Sequence, residues 1–244
     1  MKQRPFAVFD IDGTLIRWQL YHAVADAMVK RGIIDARKYN SVLEARNNWK
    51  ARINADSFTD YEKSLIALID TAIIGVDYEL FKEVCTDVIN RYQNQVYTFT
   101  RDLIAELRLN NYLIFAISAS PIELVSLVAA YYKLDDFRAS IYEVEDGKLT
   151  GKSQILNGTA KPQYLTELIN KYHASRENSI AVGDSEGDIG MLKMVKRPIA
   201  FNPTKKLIKE AQTNGWEIVA ERKNVVYQLK YNHGQYILAP TDQG

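Results

Sequence analysis

Apolar and polar positions along this chain follow two regimes. In the first, short apolar runs alternate with helical pattern. Residues 6–9, Phe-Ala-Val-Phe, are too few for a helix and stop at Asp10, which suits a strand buried on both faces. Comparable runs return at 112–117, 179–182 and 198–201. Between them apolar residues recur at the spacing of one helix face. Thr100 is placed to cap a helix carrying Leu103, Ile104 and Leu107. Pro121 suits the first turn of another, followed by Leu124, Val125, Leu127 and Val128. Residues 161–172 carry Leu165, Leu168 and Ile169, and residues 204–214 end before Gly215, a residue suited to a helix C terminus. Strands alternating with helices predict an α/β fold built on a parallel sheet.

The second regime runs from about Arg17 to Gln95. It is helical in period, holds no proline and only Gly32 and Gly75, and interleaves Trp18, Tyr21, Trp49, Phe58, Tyr61 and Tyr78 with aliphatic residues. The expectation is an all-helical insert over 17–95, a cap placed on the working end of a discontinuous core made of residues 1–16 and 96–244. Asp146-Gly147, inside residues 142–150, signals a hairpin turn. A C-terminal hairpin over 225–239, turning at Asn232-His233-Gly234, is expected to join the sheet edge or to contact a second copy.

Composition narrows the function classes. With 244 residues, 47% of them hydrophobic and 25% charged, the chain can bury a sizeable core. Its 31 basic and 30 acidic residues leave a net charge of +1, which gives no bulk electrostatic case for nucleic acid or an anionic membrane. The single cysteine, Cys85, excludes an internal disulfide or a thiolate-rich metal site, and His22, His173 and His233 lack ligand spacing. Residues 65–76 form the longest nearly apolar stretch, broken by Asp70 and too short to cross a bilayer. The N-terminal apolar stretch stops at Asp10, too early for a signal-peptide core. A cytoplasmic protein is expected.

Four segments carry candidate chemistry. Asp10-Ile11-Asp12-Gly13-Thr14 follows the first strand, and ligands of a parallel sheet bind beyond the carboxyl ends of its strands. Two carboxylates in that position can divide labour: one attacks an electrophile, the other moves a proton at the leaving group. Gly13 lets the chain turn, and the Thr14 hydroxyl can hold an anionic oxygen. Gly183-Asp184-Ser185-Glu186-Gly187-Asp188 follows another strand and adds carboxylates at the same edge. Crowded carboxylates raise one another's pKa unless a cation compensates, and Mg²⁺ suits such an oxygen-rich site. Ile117-Ser118-Ala119-Ser120-Pro121 offers hydroxyl and backbone N–H donors to an anion just before a helix. Lys152 and Lys161 are candidate cations for a phosphoryl group. Each segment alone has a plainer reading. The first can be a polar surface turn, the second a loop capping the next helix with Asp188 at its N terminus, the third a common helix start. A lone lysine can be solvated surface.

Taken together, the order nucleophilic Asp, Ser, Lys, then acidic Gly-Asp-x-x-x-Asp resembles the haloacid-dehalogenase-like (HAD) hydrolase superfamily. The likeness is strongest to its phosphoserine-phosphatase-like branch, which carries a helical C1-type cap. Residues 145–151 (EDGKLTG), 184–192 (DSEGDIGML) and 199–203 (IAFNP) are similar to segments of that branch, and the resemblance spans about Arg4 to Gly215. It implies a Rossmann-like core with an inserted helical cap. It implies a Mg²⁺-dependent phosphomonoesterase acting on a small organic phosphate, as a monomer or homodimer. Asp10 would form an aspartyl-phosphate; Asp12 would protonate the leaving alcohol and then activate water. Asp10, the backbone carbonyl of Asp12, and Asp184 would hold Mg²⁺, with Asp188 close by. Thr14, Ser118, Ala119 and Lys161 would bind the phosphate, Lys161 matching the motif better than Lys152. Dehalogenases lack an acid at the second position and the P-type ATPases carry Thr there, so Asp12 argues for hydrolysis. A phosphomutase or phosphotransferase of the same superfamily, or a non-catalytic phospho-ligand-binding protein, shares the motifs. Phosphoserine phosphatases typically carry a Glu where this chain has Gln19. They also carry an Arg where Ile66 follows Tyr61-Glu62-Lys63-Ser64-Leu65. Arg17, Arg46 and Lys50 are the candidate replacements.

Overall fold

The computed structural model of the chain describes residues 3–54 and 57–239; the side chains of Phe58 and Thr59 lie outside that description. It divides into two compact units. The first comprises the residues up to Trp18, Tyr92–Ser140, and those from Ile155 onward; the second comprises Gln19–Arg91 and Ile141–Gln154.

The first unit is a mostly parallel α/β sheet. Its strands are β1 (Pro5–Phe9), β2 (Leu113–Pro121), the first half of β3 (Asp136–Glu145), β5 (Ser175–Gly183), β6 (Arg197–Phe201), β7 (Glu217–Arg222), β8 (Val225–Asn232) and β9 (Gln235–Leu238). They lie in the order β3-β2-β1-β5-β6-β7-β8-β9. β1 is central because Phe6, Ala7, Val8 and Phe9 are buried on both faces. One face packs Phe6, Val8, Phe115 and Ile117 against Leu165 and Leu168 of α7 (Lys161–Tyr172) and Met191 and Leu192 of α8 (Ile189–Leu192). Each such side chain contributes about 1.5–3 kcal/mol by leaving water. The parallel register sets Phe9 opposite Ala116 on one side and Val182 on the other. The residues that follow each of these therefore leave the sheet at one edge.

Two strands escaped the apolar-run reading. β3 carries polar residues at alternate positions in its first half, and β7 holds only the short apolar run Ile218-Val219-Ala220 between charged residues. In β7 the polar Glu221 is buried for a reason outside its own strand. Its carboxylate accepts the backbone N–H of Thr98 (3.1 Å) and Phe99 (2.9 Å), at the start of α5 (Thr98–Leu109). Thr100, expected to cap that helix, lies inside its first turn and donates to the backbone oxygen of Thr14 at 2.9 Å. Pro121 likewise closes β2 and stands as the N-cap of α6 (Ile122–Tyr131) rather than within it. Thr204 caps α9 (Lys205–Asn214), accepting from the Leu207 N–H, and Gly215 ends it with φ 65°.

β8 pairs antiparallel with β7, and β9 with β8. His233 (φ 45°) and Gly234 (φ 88°) form the turn, both with positive φ, as a tight two-residue hairpin requires. The Tyr236 hydroxyl sits 2.9 and 2.7 Å from the carbonyl oxygens of Ala211 and Trp216, pinning the hairpin to the end of α9.

The second unit holds α1 (Leu20–Lys30), α2 (Ala36–Lys50), α3 (Ser57–Ala72) and most of α4 (Tyr78–Tyr92), with the hairpin formed by the second half of β3 and β4 (Lys148–Gln154). The hairpin is sewn to the α3–α4 connection by backbone bonds: Gly75 N–H to Leu149 O (2.8 Å), Leu149 N–H to Val76 O (2.9 Å) and Tyr78 N–H to Gly147 O (2.8 Å). Among the described residues no helix is long and apolar enough to cross a membrane.

A helix start satisfied by a side chain from a distant strand makes a clear stability prediction. Glu221→Ala should lower the unfolding free energy by about 1–2 kcal/mol in urea titration, whereas Thr98→Ala should change it by less than about 0.5 kcal/mol. Equal stability of Glu221→Ala and the parent would mean that these N–H groups do not depend on the carboxylate.

Candidate active site

The edge where β1, β2 and β5 end gathers the acidic and hydroxyl residues. Asp10 is buried, and its N–H donates to Val182 O at 3.0 Å. The chain then turns sharply: the N–H groups of Thr14, Leu15 and Ile16 converge on the Ile11 carbonyl, and Gly13 sits at φ 80°, a conformation costly for any other residue. Asp12 is half-buried. Its Oδ2 accepts from the hydroxyls of Ser118 (3.1 Å) and Ser120 (2.8 Å), and the Ser120 N–H donates to Ser118 Oγ at 3.0 Å. Ala119, between them, is exposed, and its carbonyl accepts from the Ser140 hydroxyl. Thr14 Oγ1 is fully buried with no hydrogen-bond partner.

The second half of the site is built around Lys161 at the start of α7. Lys161 is 5% exposed, and its ammonium donates to Asp10 Oδ1 at 2.8 Å and Asp188 Oδ1 at 2.6 Å. Asp188 is fully buried. Its other oxygen accepts the N–H groups of Asp184 (3.1 Å) and Ser185 (3.0 Å) and the Ser185 hydroxyl (3.2 Å), so it shapes the loop after β5. Gly183 is obligatory here: a Cβ would fall 2.4 Å from the Asp188 side chain. Lys152, the other candidate cation, is exposed on β4 in the second unit and pairs with Glu143 at 3.3 Å.

The electrostatics are strained. Burial raises the Asp10 pKa to about 7; Lys161 pulls it down, while Asp188 and Asp12 push it up. Burial, then Asp10 and Asp188, also hold Asp184 well above the ordinary carboxylate range. Burial opposes the Lys161 ammonium, but Asp10 and Asp188 outweigh it and raise its pKa. One ammonium thus faces an excess of carboxylate. Oxygens of Asp10, Asp184 and Asp188 lie within 4.8 Å of one another. A cluster of three oxygen donors short of positive charge fits a hard divalent cation. The Asp12 carboxyl is not one of these three donors, and Ser118 and Ser120 donate to it.

The candidate specificity residues belong mainly to the second unit. Gln19 precedes α1, and Ile66 is 37% exposed on α3. Arg46 is engaged within the unit: it donates to Tyr61 OH at 2.8 Å and Tyr39 OH at 2.6 Å, and pairs with Asp26 at 3.1 Å. Tyr61 stacks on Trp49 and meets His22 edge-on, with ring centroids 5.5 and 4.6 Å apart. Burial, with Arg46 nearby, lowers the His22 pKa to about 3 and keeps it neutral. Tyr21 shares a 2.9 Å hydrogen bond with Tyr142. Lys50 is exposed, while Arg17, in the first unit, lies over the Tyr97 ring.

Ser120 was missed in the sequence. Its signal was the alternation of a strand, which turns residues two apart to the same side, so Ser118 and Ser120 together face Asp12.

A family model described as haloacid dehalogenase-like hydrolase matches residues 7–193. The chain is 25% identical over 217 residues to a phosphoserine phosphatase of Mycobacterium tuberculosis, covering 87% of this chain and 69% of that protein. It is 24% identical over 223 residues to a histidinol-phosphatase of Neisseria meningitidis, covering 87% and 97%. Among solved structures it aligns with a phospho-aspartyl intermediate analogue of phosphoserine phosphatase at a TM-score of 0.65 and 21% identity, over 91% of this chain and 95% of that one. A protein of unknown function from Bordetella pertussis Tohama I aligns at 0.70 and 19% identity, over 89% and 98%. At these identities the structural likeness is one of fold.

The acidic cluster predicts how a cation should bind. A carboxyl whose folded pKa is raised stabilises the metal-free fold through its proton, and that contribution is lost as pH rises through about 7 for Asp10. A cation must displace the proton below that pH and meets the bare carboxylate above it. The rise in melting temperature on adding Mg²⁺ should therefore grow from pH 5 to pH 8, with the apparent affinity weakening about tenfold per pH unit below 7 for each proton displaced. His22 titrates alike with and without the ion and cancels in the difference. A pH-independent increment would place the cation elsewhere.

Proposed function

The chain belongs to the haloacid dehalogenase-like hydrolases, and on that premise we propose a phosphatase that cleaves a small organic phosphomonoester through an aspartyl-phosphate on Asp10. The observation that carries this reading is the separation of two neighbouring carboxyls into different surroundings. Asp10 lies against the Lys161 ammonium (2.8 Å), while Asp12 lies against the hydroxyls of Ser118 and Ser120. Carboxyls set apart in this way take the roles of nucleophile and proton carrier.

In this reading the first unit is the catalytic core and the helical unit is the cap domain. An Asp10 oxygen attacks phosphorus as the bond to the leaving oxygen breaks, and Asp12 gives that oxygen its proton. Asp12 then takes a proton from water, whose oxygen attacks phosphorus and releases phosphate from Asp10. Lys161 has three N–H donors and uses two on Asp10 and Asp188, leaving the third for a phosphoryl oxygen. The hydroxyls of Thr14 and Ser118 and the N–H of Ala119 are the neutral donors to the same group; the unpartnered Thr14 Oγ1 supports that assignment. Asp10, Asp184, the Asp12 carbonyl and the nearby Asp188 would hold Mg²⁺. Bound there, the ion supplies positive charge that lets a phosphate dianion approach the acidic cluster.

The named relatives act on different phosphate esters, so kinship leaves the substrate open. Gln19, Ile66 and the internal engagement of Arg46 weigh against phosphoserine as the exclusive substrate. Across phosphoserine, amino-alcohol phosphates, sugar phosphates and nucleoside monophosphates, the highest kcat/KM should fall on an ester other than phosphoserine. Exclusive turnover of phosphoserine would overturn this view of the substrate.

The catalytic roles are tested by isosteric amides. Asp10→Asn should abolish phosphate release, since an amide cannot form the acyl-phosphate. Asp12→Asn should lower kcat by about a hundredfold or more and accumulate phosphoenzyme visible by intact mass. Near-parental turnover by Asp10→Asn would refute the mechanism. Transfer of the phosphoryl group to a second alcohol, with no phosphate released, would identify a phosphotransferase.

A further inference from the structure

Resting on the reading of Asp12 as acid and base, we infer that Ser120 is a positioning residue. It holds the Asp12 carboxyl in place when Ser118 turns to the phosphoryl group.

Both hydroxyls donate to the same oxygen, Asp12 Oδ2, Ser118 at 3.1 Å and Ser120 at 2.8 Å. A hydroxyl carries one proton. Ser118 therefore cannot donate to Asp12 and to a phosphoryl oxygen at once, and binding of substrate removes one of the two bonds. The Ser120 N–H, donating to Ser118 Oγ at 3.0 Å, holds Ser118 in either state without using its proton. Ser120 is 4% exposed, and its hydroxyl is then the fixed partner of Asp12.

The backbone around Ser120 is pinned accordingly. Ala119 O accepts the Ser140 hydroxyl at 2.6 Å, and Ser140 Oγ in turn accepts the Leu156 N–H at 2.9 Å. Pro121 follows with φ fixed by its ring and begins the turn into α6. The pairing of β2 with β3 shifts register between Ile117 and Pro121, beside the two serines. The sequence Ser-Ala-Ser-Pro thus separates two tasks: Ser118 serves the phosphate, Ser120 the proton carrier.

The two tasks respond differently to the leaving group. An alkoxide needs its proton as the bond to phosphorus breaks, whereas p-nitrophenolate leaves without one. The ratio kcat/KM reports the steps up to departure of the alcohol and is blind to later hydrolysis of the phosphoenzyme. Ser120→Ala should lower kcat/KM about tenfold or more for the best alkyl phosphate of the panel, but within about twofold for p-nitrophenyl phosphate. Ser118→Ala should lower both alike, because the phosphoryl group is common to them. Ser120→Thr, which keeps the hydroxyl, should recover most of the alkyl activity. Ser120→Gly is a second hydroxyl-free variant and should show the same split if Ser120→Ala does not fold. Equal losses on both substrates, or no loss on either, would overturn the inference while parental turnover leaves the phosphatase reading standing. A parent that hydrolyses neither ester would sink that reading and this inference with it.

Discussion

A single ammonium between two buried carboxylates is the interaction on which the rest of the site depends. Lys161 bridges Asp10 and Asp188, and all three are nearly or fully removed from water. Breaking a buried pair by deleting one partner costs about 3–5 kcal/mol, because the remaining charges are left without compensation. Here two acids would be stranded, with Asp12 and Asp184 adding to the repulsion. The bridge is also a fastening. Asp10 directly follows β1, Lys161 begins α7, and Asp188 closes the loop after β5, so one contact clamps three elements of the first unit at the candidate site. The fold and the site therefore share the same stabilising contact.

That contact forms only because the sheet is parallel and in register. Phe9 faces Ala116 and Val182, so the residues beyond them emerge at one edge, although Phe9 is more than a hundred positions from either in the chain. Close approach is then a matter of volume. Gly183 has no Cβ, and Asp188 occupies that space, which lets its carboxylate reach back to the N–H groups of Asp184 and Ser185. On the other side, Thr100 ties the start of α5 to the Thr14 carbonyl, so the turn holding Asp12 rests on a helix capped from β7.

The parts legible in the sequence are those written in local pattern. Continuous apolar runs announced β1, β2, β5 and β6, and the acids directly after β1 and β5 could be placed at one edge from topology alone. The parts that were not legible depend on partners remote in sequence. Nothing near Thr100 indicates that Glu221 caps its helix instead. Nothing within residues 141–154 indicates that their hairpin is sewn to the α3–α4 connection, because those bonds run through backbone groups that every residue has. Arg46 read as an available cation because Asp26, Tyr39 and Tyr61 are dispersed around it in the chain and meet only in space. Ser120 was visible as a residue type, but a serine before proline has a common structural use, and only the measured distance to Asp12 separates the two meanings.

The candidate site residues are divided unevenly between the two units. Asp10, Asp12, Thr14, Ser118, Ser120, Lys161, Asp184 and Asp188 all fall in the first unit, and none in the second. Among the described residues, Arg46 is the only buried arginine or lysine of the second unit. Its guanidinium is matched by an acid and two phenols, and beside it burial keeps His22 neutral. A substrate carboxylate seeking Arg46 would have to displace Asp26 and strip that half-buried acid of its ion pair, at a cost that erodes any affinity gained. Around Arg46 the polar groups are matched to one another within α1, α2 and α3. On the proposed phosphatase reading, recognition of the ester's organic part falls to side chains other than Arg46. Such positions can change without disturbing the bridge at Lys161.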